Sequence, residues 1–450
     1  REQKGQGNMV LAAETLGLEP DFSYERKAEK PNVQVDRFGY LPKSTKTAVF
    51  QGEELPKKFQ VKKKDSGECV YEGEIRQVEE TGDVLTGYGS FTEIEEEGSY
   101  YIECSKIGCS CYFDIGKGVY LGKARELGEI IEEAQQAGRT GEPENEEESR
   151  KTAEVCETLG YLLIAYEMYP ELILQIWDSD SAGSEEDAGG DKFFRMLRRE
   201  TDWLLSMQDE RTGGIYRDAS ALSAKESGEL SEGEVDEEAT AAFAGTMAKY
   251  SYLYQQYDLD YANICLKAAA KAWRYLNGMQ SAPGQGGQDG AGTEVYGAQT
   301  GRFYAASELY RASNEILYHN YILQNQEFMM SLEDDFYLLM AKATYLSTKW
   351  KVDHVLCGQM IEGLMREAGR IAAAAKGGPF LVESEKTDVI LWDMTVVALA
   401  NYAIMNHEYV TVVENHVHYL MGRNREAEIL MEGTGGGDAA KMLLLLSGEY

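Results

Sequence analysis

The spacing of apolar residues changes near Val119, and this change limits the folds that the chain can adopt. Between Asn32 and Gly118, apolar residues alternate with polar ones or form short β-branched and aromatic runs, separated by Gly, Ser and Glu. These runs are typical of β-strands: VQVDRF, TAVFQG, KKFQVKKK, ECVYEGEI, SYYIEC and SCYFDIG. Several short strands at this spacing predict a β-sandwich over residues 32–118. Residues 1–31 are polar and without clear period, so we interpret them as an extension or linker.

From Val119 onward the apolar residues follow a helical period. We count about twelve amphipathic segments, many of them joined by turns that contain Gly, Asp or Asn. They begin near residues 119, 150, 192, 235, 259, 301, 316, 334, 353, 390, 408 and 438. Twelve helices in roughly 330 residues is the number that an (α/α)6 barrel requires, but the period alone also fits another helical array. The pattern therefore predicts a helical second domain over residues 119–450.

The composition limits the partners of the chain. Its 450 residues carry a formal net charge of −33, which repels nucleic acid phosphates and favours neutral or cationic ligands. No apolar run, Met442–Leu446 among them, approaches the ~20 residues of a membrane span. We therefore expect no nucleic acid and no membrane partner. The chain begins at Arg1 and not at Met, so we expect that an upstream segment has been removed, which leaves secretion open.

The sequence contains no convincing motif for a metal or a cofactor. The five histidines form no H-E-x-x-H, and the glycine-rich segment 281–293 lacks the spacing of a phosphate-binding loop. The seven cysteines are odd in number and show no paired spacing, which argues against a disulfide framework. We therefore expect neither a metal nor a cofactor.

Seven segments, in order along the chain, resemble those of glycoside hydrolase family 9, a family of inverting endoglucanases. They are VDRFGYLPKSTKTAVF, GSYYIECSKIGCSCYFDIGKGVY, TLGYLLIAYEMYP, WLLSMQDERTGGIY, ATAAFAGTMAKYSYLYQQYD, GRFYAASELYRAS and HYLMGRN. The first two resemble the opening and the end of the Ig-like domain that precedes many family 9 barrels. The resemblance covers residues 32 to about 450 and implies an N-terminal Ig-like β-sandwich followed by an (α/α)6 barrel.

The resemblance also implies where catalytic carboxyl groups would lie. Family 9 holds the attacking water with the two aspartates of a D-A-G-D loop and uses a glutamate near the C-terminus as the acid. Counting back without gaps from TLGYLLIAYEMYP, the two aspartate positions fall on Glu144 and Glu147. Aligning the last helix puts Glu432 at the position of the acid. On this reading Glu144 and Glu147 share the base and water-positioning roles.

Three departures from the family pattern leave the activity open. Glutamate replaces aspartate at both base positions, and its added methylene moves the carboxylate by about 1 Å, enough to cost on the order of 100-fold in rate. Only seven residues separate Asn424 from Glu432, so the family's loop with substrate-binding His and Arg is missing. Three consecutive glycines, Gly435–Gly437, follow close after Glu432, where the family has apolar and aromatic positions. The alternatives are a solvated acidic run before a helix for Glu144 and Glu147, and a coincidental register for Glu432.

Aromatic side chains are the second resource for binding a sugar, because the C–H face of a pyranose stacks on a ring. Trp392 resembles a family tryptophan near the barrel mouth, and Tyr216, Tyr296 and Phe303 flank predicted loops. Core packing is the alternative for each of these aromatic residues.

The sequence therefore leads to two hypotheses of function. The first is inverting hydrolysis of a β-linked glucan or a related oligosaccharide. The second is an inactive homologue that binds saccharide or serves as a structural or interaction protein. The oligomeric state and the compartment are not assigned.

Overall fold

The structure is a computed structural model that describes residues 31–140, 150–178, 191–221, 235–280, 292–431 and 433–448. Its β-sheets lie between residues 33 and 115, apart from one short pair of strands farther along, and its helices begin at Leu121. Among the described residues, no helix is both long enough and apolar enough to cross a membrane.

Two facing sheets form the N-terminal part. Their strands are β1 (Val33–Gln34), β2 (Gly39–Tyr40), β3 (Thr47–Gly52), β4 (Lys58–Lys63), β5 (Cys69–Glu74), β6 (Arg76–Thr81), β7 (Val84–Ser90), β8 (Gly98–Cys104), β9 (Gly108–Cys109) and β10 (Phe113–Ile115). One sheet has the order β1-β3-β7-β6, and the other has the order β2-β10-β8-β4-β5 with β9 beside β8. The pairs are antiparallel except β2 with β10. Alternate residues point inward, so that Phe59, Val61, Tyr100 and Ile102 enter one apolar core.

The rest of the described chain is helical, except for a short pair of strands, β11 (Ile215–Tyr216) and β12 (Val235–Asp236). The helices are α1 (Leu121–Thr140), α2 (Thr152–Met168), α3 (Pro170–Asp178), α4 (Asp191–Ser206), α5 (Glu237–Tyr254), α6 (Leu259–Gln280), α7 (Gly292–Ser313), α8 (Ile316–Gln324), α9 (Gln326–Ser331), α10 (Phe336–Ser347), α11 (His354–Ala375), α12 (Thr387–Ala403), α13 (His407–Leu420) and α14 (Gly436–Ser447).

Six of these helices close into an inner ring. Helix α2 contacts α5, α5 contacts α7, α7 contacts α10, α10 contacts α12, α12 contacts α14, and α14 contacts α2. The other helices lie between them in sequence and pack around the outside, as α1 does on α14 and α6 does on α5. This arrangement is an (α/α)6 barrel. We call the end at the N-termini of the inner helices the mouth, and the end at their C-termini the floor.

The inner and outer helices differ in their distribution of apolar residues. Helix α5 is buried along nearly its whole length, and α2 and α10 are similar. Outer helix α11 instead buries a stripe that includes Leu356, Met360, Leu364 and Ala368. A helix that is apolar on all sides belongs in a core, whereas one with a stripe lies on a surface. The prediction of amphipathic segments is therefore wrong for α2, α5 and α10, because these helices are buried on nearly all sides.

Glycines allow the inner helices to approach closely. A Cβ atom at Gly160 on α2 would lie 2.4 Å from the ring of Phe336 on α10, and one at Gly245 on α5 would lie 2.1 Å from the ring of Tyr304 on α7. Neither distance is compatible with a side chain at these positions. Gly245 thus allows the neighbouring helices α5 and α7 to approach closely, and Gly160 makes room for the Phe336 ring of α10.

The sandwich packs against α13 and the start of the connection between α13 and α14. The backbone N–H of Arg37 donates to the carbonyl of Met421 (3.0 Å), and that of Thr45 donates to Glu414 Oε2 (2.9 Å). Tyr40 packs edge-on against His418, with ring centroids 4.7 Å apart. The buried Asp36 accepts from the Tyr120 hydroxyl (2.8 Å), and burial raises the pKa of Asp36 to about 7. The sandwich therefore supports the segment that leads to Glu432.

A buried ionic network closes the floor of the barrel. Lys249 Nζ donates to Glu167 Oε2 (2.7 Å) and to Glu308 Oε1 (3.3 Å). Arg311 donates to Glu308 Oε2 through Nη2 (2.6 Å) and to Glu167 through Nη1. Thr344 Oγ1 donates to Glu308 Oε1 (2.6 Å). We call these five residues the floor network; they connect α2, α5, α7 and α10.

The predicted fold class is confirmed, with local corrections. The six predicted strand segments coincide with β1, β3, β4, β5, β8 and β10, whereas β2, β6, β7 and β9 were not predicted. Eleven of the twelve predicted helix starts lie within about three residues of an observed start, and the exception is α7, which begins at Gly292 and not near 301. The short helices α3 and α9 were also not predicted.

Candidate saccharide site

A cavity of about 380 Å³ lies at the mouth of the barrel. Its lining comes from the N-terminal parts of five inner helices, α2, α5, α10, α12 and α14, or from residues just before them. We call it the mouth cavity. Because six inner helices point their N-termini toward this end, side chains that are distant in sequence meet there.

The mouth cavity is rich in carboxylates. Glu157 comes from α2, Glu238 from α5, Asp388 from α12, and Asp334 and Asp335 directly precede α10. Lys441 on α14 is the one basic residue among those that line it. Acidic residues are favoured near helix N-termini because the helix dipole is positive there, which accounts for part of this concentration.

Glu157 and Lys441 form a loose pair across the cavity wall. Lys441 Nζ lies 3.6 Å from Glu157 Oε1 and 3.3 Å from Asp438 Oδ1. Burial raises the pKa of Glu157, and the nearby Asp335 raises it further, while Lys441 opposes this rise. Lys441 therefore only partly offsets the effect of burial on the Glu157 carboxylate, and the pKa of Glu157 stays above its usual value.

Asp335 has a structural role as well as a position in the cavity. Its Oδ1 accepts from the backbone N–H of Leu338 (2.8 Å) and so caps α10. Its Oδ2 accepts from Thr300 Oγ1 (2.6 Å) on α7. Burial raises the pKa of Asp335, and Asp334 adds to this rise although Asp334 pairs with Lys342. The carboxylates of the mouth are thus close enough to raise each other's pKa.

Four aromatic side chains form the apolar part of the lining. They are Tyr161, Phe336, Tyr337 and Trp392. The rings of Tyr161 and Phe336 lie 4.6 Å apart, and the Tyr337 hydroxyl donates to the carbonyl of Ala153 (3.1 Å). Trp392 is partly exposed, whereas Tyr337 is buried. A combination of rings and carboxylates suits a saccharide, which offers apolar C–H faces and hydroxyl donors.

Asp388 and Trp392 lie four residues apart on α12, so they share one face of this helix. Both line the mouth cavity. The N-cap of α12 is Lys386, and its side chain makes no capping hydrogen bond. Asp388 is exposed and forms no hydrogen bond or ion pair with any residue that the structure describes. A ring and a solvent-facing carboxylate thus stand side by side.

The three predicted catalytic residues lie outside the described part of the chain. Glu144 and Glu147 belong to segment 141–149, which precedes α2, and Glu432 lies between the described residues Met431 and Gly433. Their roles therefore stay predictions. Met431 is fully buried, and Leu430 is held by a hydrogen bond from its N–H to the carbonyl of Leu420 (2.9 Å).

The structure corrects two of the four predicted sugar-binding residues. Phe303 is fully buried and packs against Tyr321 and Phe328, with ring centroids 5.6 and 6.3 Å away. Tyr216 is 5% exposed, and its hydroxyl donates to Asp209 Oδ2 (2.8 Å). Neither side chain lines the mouth cavity. Both predictions were wrong because a position beside a predicted loop does not determine which way a ring points.

The other two predicted residues have different outcomes. Tyr296 falls within α7, but its side chain lies outside the described part of the structure. Trp392 lines the mouth cavity, and its sugar-binding role stays a prediction.

Sequence reasoning did not single out Glu157, Asp335, Asp388 or Lys441. Each lies within two turns of the start of a helix that the sequence did predict. The available signal was the alternation of inner and outer helices, which brings the start of every second helix to the same end of the barrel. Acidic residues at those starts would then have indicated a shared site.

A second, larger groove of about 830 Å³ lies between the sandwich and the barrel. It is lined by Asn32, Glu54, Lys106 and Arg425 among others, and no aromatic residue is part of its lining. Lys106 pairs with Glu54, and Arg425 pairs with Glu79 and Glu385. Without a ring for stacking, and with these charges already paired, this groove is a weaker candidate for binding a saccharide than the mouth cavity.

The acidic residues of the mouth do not form a metal centre. In the described ranges, no group of three or more His, Cys, Asp or Glu side chains is arranged to hold a metal ion.

Comparisons with known proteins agree with this architecture. Residues 152–441 match the model of glycosyl hydrolase family 9, and residues 28–108 match that of the cellulase N-terminal Ig-like domain. Endoglucanase D of Acetivibrio thermocellus is 21% identical over 468 residues, covering 90% of this chain and 73% of that protein. The Bacteroides ovatus GH9 structure has a TM-score of 0.70 at 15% identity and covers 93% of this chain and 98% of its own.

A second solved structure contains a ligand. It is AaCel9A in complex with cellobiose-like isofagomine, with a TM-score of 0.70 at 18% identity, covering 90% of this chain and 84% of that one. At these identities the structural similarity shows the fold alone, whereas the family model matches more than half of the chain. The chain belongs to glycoside hydrolase family 9.

Proposed function

We propose that the protein hydrolyses β-linked glucan or a related oligosaccharide with inversion, and that the mouth cavity holds the sugar. The observation that carries this proposal is the cavity itself: rings and carboxylates converge at the mouth of a family 9 barrel. The named relatives support it, because one is an endoglucanase and another was solved with a cellobiose-like ligand.

The reaction needs two carboxyl groups about 6.5–9.5 Å apart, one on each side of the scissile bond. In this proposal Glu432 donates a proton to the leaving oxygen. Glu144 and Glu147 hold the attacking water and accept its proton. Water attacks the anomeric carbon from the face opposite the leaving group, which inverts the configuration. The ring of Trp392 stacks on the sugar and aligns the bond between the two carboxyl groups.

A second candidate function is saccharide binding without hydrolysis. The specific observation in its favour is glutamate at both base positions, together with the missing loop that carries His and Arg in the family. The longer side chains of Glu144 and Glu147 move both carboxylates relative to the anomeric carbon. Binding at Trp392 and the other lining residues does not depend on that alignment.

The test measures the rate at which the wild type and Glu432→Gln release reducing ends from a panel of soluble β-glucans and xylans. We expect Glu432→Gln to lower kcat by about 100-fold or more, because it removes the general acid. Glu428→Gln is the matched control, since Glu428 lies in the same connection and is exposed. NMR of the first product formed by the wild type should show the α-anomer.

Three results distinguish the candidates. Release that is lost only in Glu432→Gln supports hydrolysis with the proposed acid. Equal release from both variants removes Glu432 from this role. No release from the wild type, combined with measurable saccharide binding, favours the binding function.

A further inference from the structure

We propose that Arg150 is a positioning residue, which aligns the base carboxylates Glu144 and Glu147 at the mouth of the barrel. Glu200 and Trp203, both on α4, hold its side chain. This inference rests on the proposed function, because it takes those two glutamates to hold the attacking water. It adds a role for a residue that does not itself line the mouth cavity.

The Arg150 side chain makes two contacts with α4. Its Nη2 donates to the Glu200 carboxylate, and its guanidinium carbon lies 4.1 Å from the centroid of the Trp203 ring. The Arg150 side chain is 10% exposed and that of Glu200 is 1% exposed, so both charges are largely removed from water. A planar guanidinium can stack on a ring while it binds a carboxylate, which fixes its orientation as well as its position. The two contacts therefore determine where the Arg150 side chain lies.

The backbone around Arg150 is held as well. Its carbonyl accepts from the N–H of Ala219 (3.1 Å), and the N–H of Thr152 donates to the carbonyl of Arg217 (2.8 Å). Thr152 Oγ1 donates to the carbonyl of Tyr216 (2.8 Å). Helix α2 begins at Thr152, and its N-cap side chain makes no capping hydrogen bond. Contacts with the chain at the end of β11 therefore take the place of a local cap and fix the start of α2.

The chain that receives these contacts is itself fixed by two inner layers of the barrel. The N–H of Tyr216 donates to the carbonyl of Met207, which follows the last residue of α4 (3.0 Å). The N–H of Ile215 donates to Thr240 Oγ1 on α5 (3.0 Å), and β11 pairs with β12. Met207, Ile215 and Thr240 are fully buried. The residues just before α2 are thus anchored to α4 and α5 through a buried support.

The anchored residues lie close in sequence to the base carboxylates. Glu147 is three residues before Arg150, so their Cα atoms are at most about 11 Å apart. The carbonyl of Ala153 accepts from the hydroxyl of Tyr337 (3.1 Å), which lines the mouth cavity, so this anchor lies at the mouth end. Misplacing a catalytic group by about 1 Å can cost on the order of 100-fold in rate. A displacement of Arg150 should therefore be felt as a loss of base catalysis.

The alternative is that the ion pair only stabilises the fold. Two buried charges contribute little more to stability than well-packed apolar side chains of the same volume, because the cost of desolvation offsets their attraction. Such a pair can instead specify one geometry among several. Here the geometry that Arg150 and Glu200 specify is the point at which the chain after Glu147 enters α2.

The test uses Arg150→Lys, which keeps a positive charge beside Glu200 but loses the planar group that stacks on Trp203. Its kcat and KM are measured on a soluble β-glucan and on β-cellobiosyl fluoride. Fluoride is a weak base that leaves without a proton from an acid, whereas attack by water needs the base on both substrates. We expect kcat to fall about 100-fold on both substrates, with KM within about threefold of the wild type.

Two comparisons separate positioning of the base from other effects. Glu432→Gln, which removes the proposed acid, should lower kcat on the glucan much more than on the fluoride. Glu200→Gln keeps an oxygen acceptor for Arg150 and should lower kcat about tenfold on both substrates. It decides the question if Arg150→Lys does not fold.

Arg198→Lys is the matched control. Arg198 lies on α4, pairs with Asp258 (3.1 Å), and has its guanidinium carbon 4.0 Å from the centroid of the Tyr261 ring. It therefore makes the same two kinds of contact as Arg150, but Asp258 directly precedes α6, at the floor end. Arg198→Lys should leave kcat on both substrates within twofold. Circular dichroism checks that each variant is folded.

Each outcome supports or overturns the inference. Loss of kcat on both substrates in Arg150→Lys, with KM kept and Arg198→Lys active, supports it. An unchanged kcat in Arg150→Lys, a loss on the glucan alone, a rise in KM alone, or an equal loss in Arg198→Lys overturns it and leaves the proposed function intact. No hydrolysis of either substrate by the folded wild type overturns both the proposed function and this inference.

Discussion

The mouth and the floor of the barrel are built from the same inner helices, but they handle charge in opposite ways. At the floor, Glu167 and Glu308 face Lys249 and Arg311, so two negative charges meet two positive charges. At the mouth, five carboxylates line the cavity with one lysine, Lys441, and one of the five, Asp334, pairs with Lys342 outside the lining. Glu308 and Lys249 are fully buried, whereas Asp388 is exposed.

This difference separates a structural site from a binding site. Charges that are removed from water must be paired, because an isolated buried charge costs several kcal/mol. Charges at an open cavity keep much of their hydration and can stay unpaired at little cost. Asp388, which has no hydrogen-bond or ion-pair partner among the described residues, is therefore available to a ligand at the mouth, while the carboxylates of the floor are already satisfied by the chain.

The largest effect should come from breaking the floor network. Arg311→Met removes one of its two cations and leaves the buried Glu308 partly uncompensated. We expect a loss of about 3–5 kcal/mol in the free energy of unfolding, measured by urea denaturation at pH 7. Saccharide affinity of the folded protein should stay unchanged.

Lys441→Met is the matched change at the mouth, where the lysine side chain is 26% exposed and its partner Glu157 is 36% exposed. Its effect on unfolding should be below about 1 kcal/mol. Equal losses in the two variants would contradict the distinction between the two ends of the barrel.

The second effect is the response of the floor to acid. Burial alone would raise the pKa of Glu167, but Lys249 and Arg311 lower it to about 2. Its ionised form therefore stabilises the folded state above the unfolded pKa of about 4.5, and this contribution is lost as pH falls toward 2. The loss should be on the order of 3 kcal/mol. When thermal unfolding is measured at several pH values between 5 and 2, the Tm of Glu167→Gln should fall less steeply with decreasing pH than that of the wild type.

Glu157→Gln at the mouth should change the pH dependence of stability in the opposite direction. The pKa of Glu157 is raised, so its protonated form contributes stability that is present below the unfolded pKa and is lost as pH rises through the folded pKa. Between pH 5 and 2, Tm should therefore fall as steeply in Glu157→Gln as in the wild type. As the pH rises toward neutral, the variant should lose less stability than the wild type. A Tm that falls less steeply between pH 5 and 2 in Glu157→Gln than in the wild type would contradict this prediction.

The smallest of these effects concerns the ring at the mouth. Trp392→Ala removes the stacking surface and should lower saccharide affinity about tenfold, as titration calorimetry would measure. Trp350→Ala is the comparison, because Trp350 is near the floor, where its Nε1 donates to the carbonyl of Arg311 (2.8 Å). It should reduce stability and leave affinity within twofold. Similar affinities in the two variants would remove Trp392 from the binding site.

The sequence predicted most of the fold because local periodicity and turn residues act over short distances. The change of period near Val119, the strand β8 with its alternating residues and the helix starts within a few residues of those observed all follow from such signals. The sequence was less informative about the direction in which individual side chains point. Phe303 and Tyr216 flank predicted loops, but both side chains are buried.

The sequence by itself determined the two-part architecture and the family, since periodicity and a series of ordered motifs record both. Only the tertiary structure decided which carboxylates meet. Glu157 and Asp388 are separated by more than 200 residues, yet both line one cavity because closing the ring brings the starts of α2 and α12 to the same end. The physical reason is that local propensity defines each helix, whereas the relative positions of the helices follow from burial of all six inner surfaces at once.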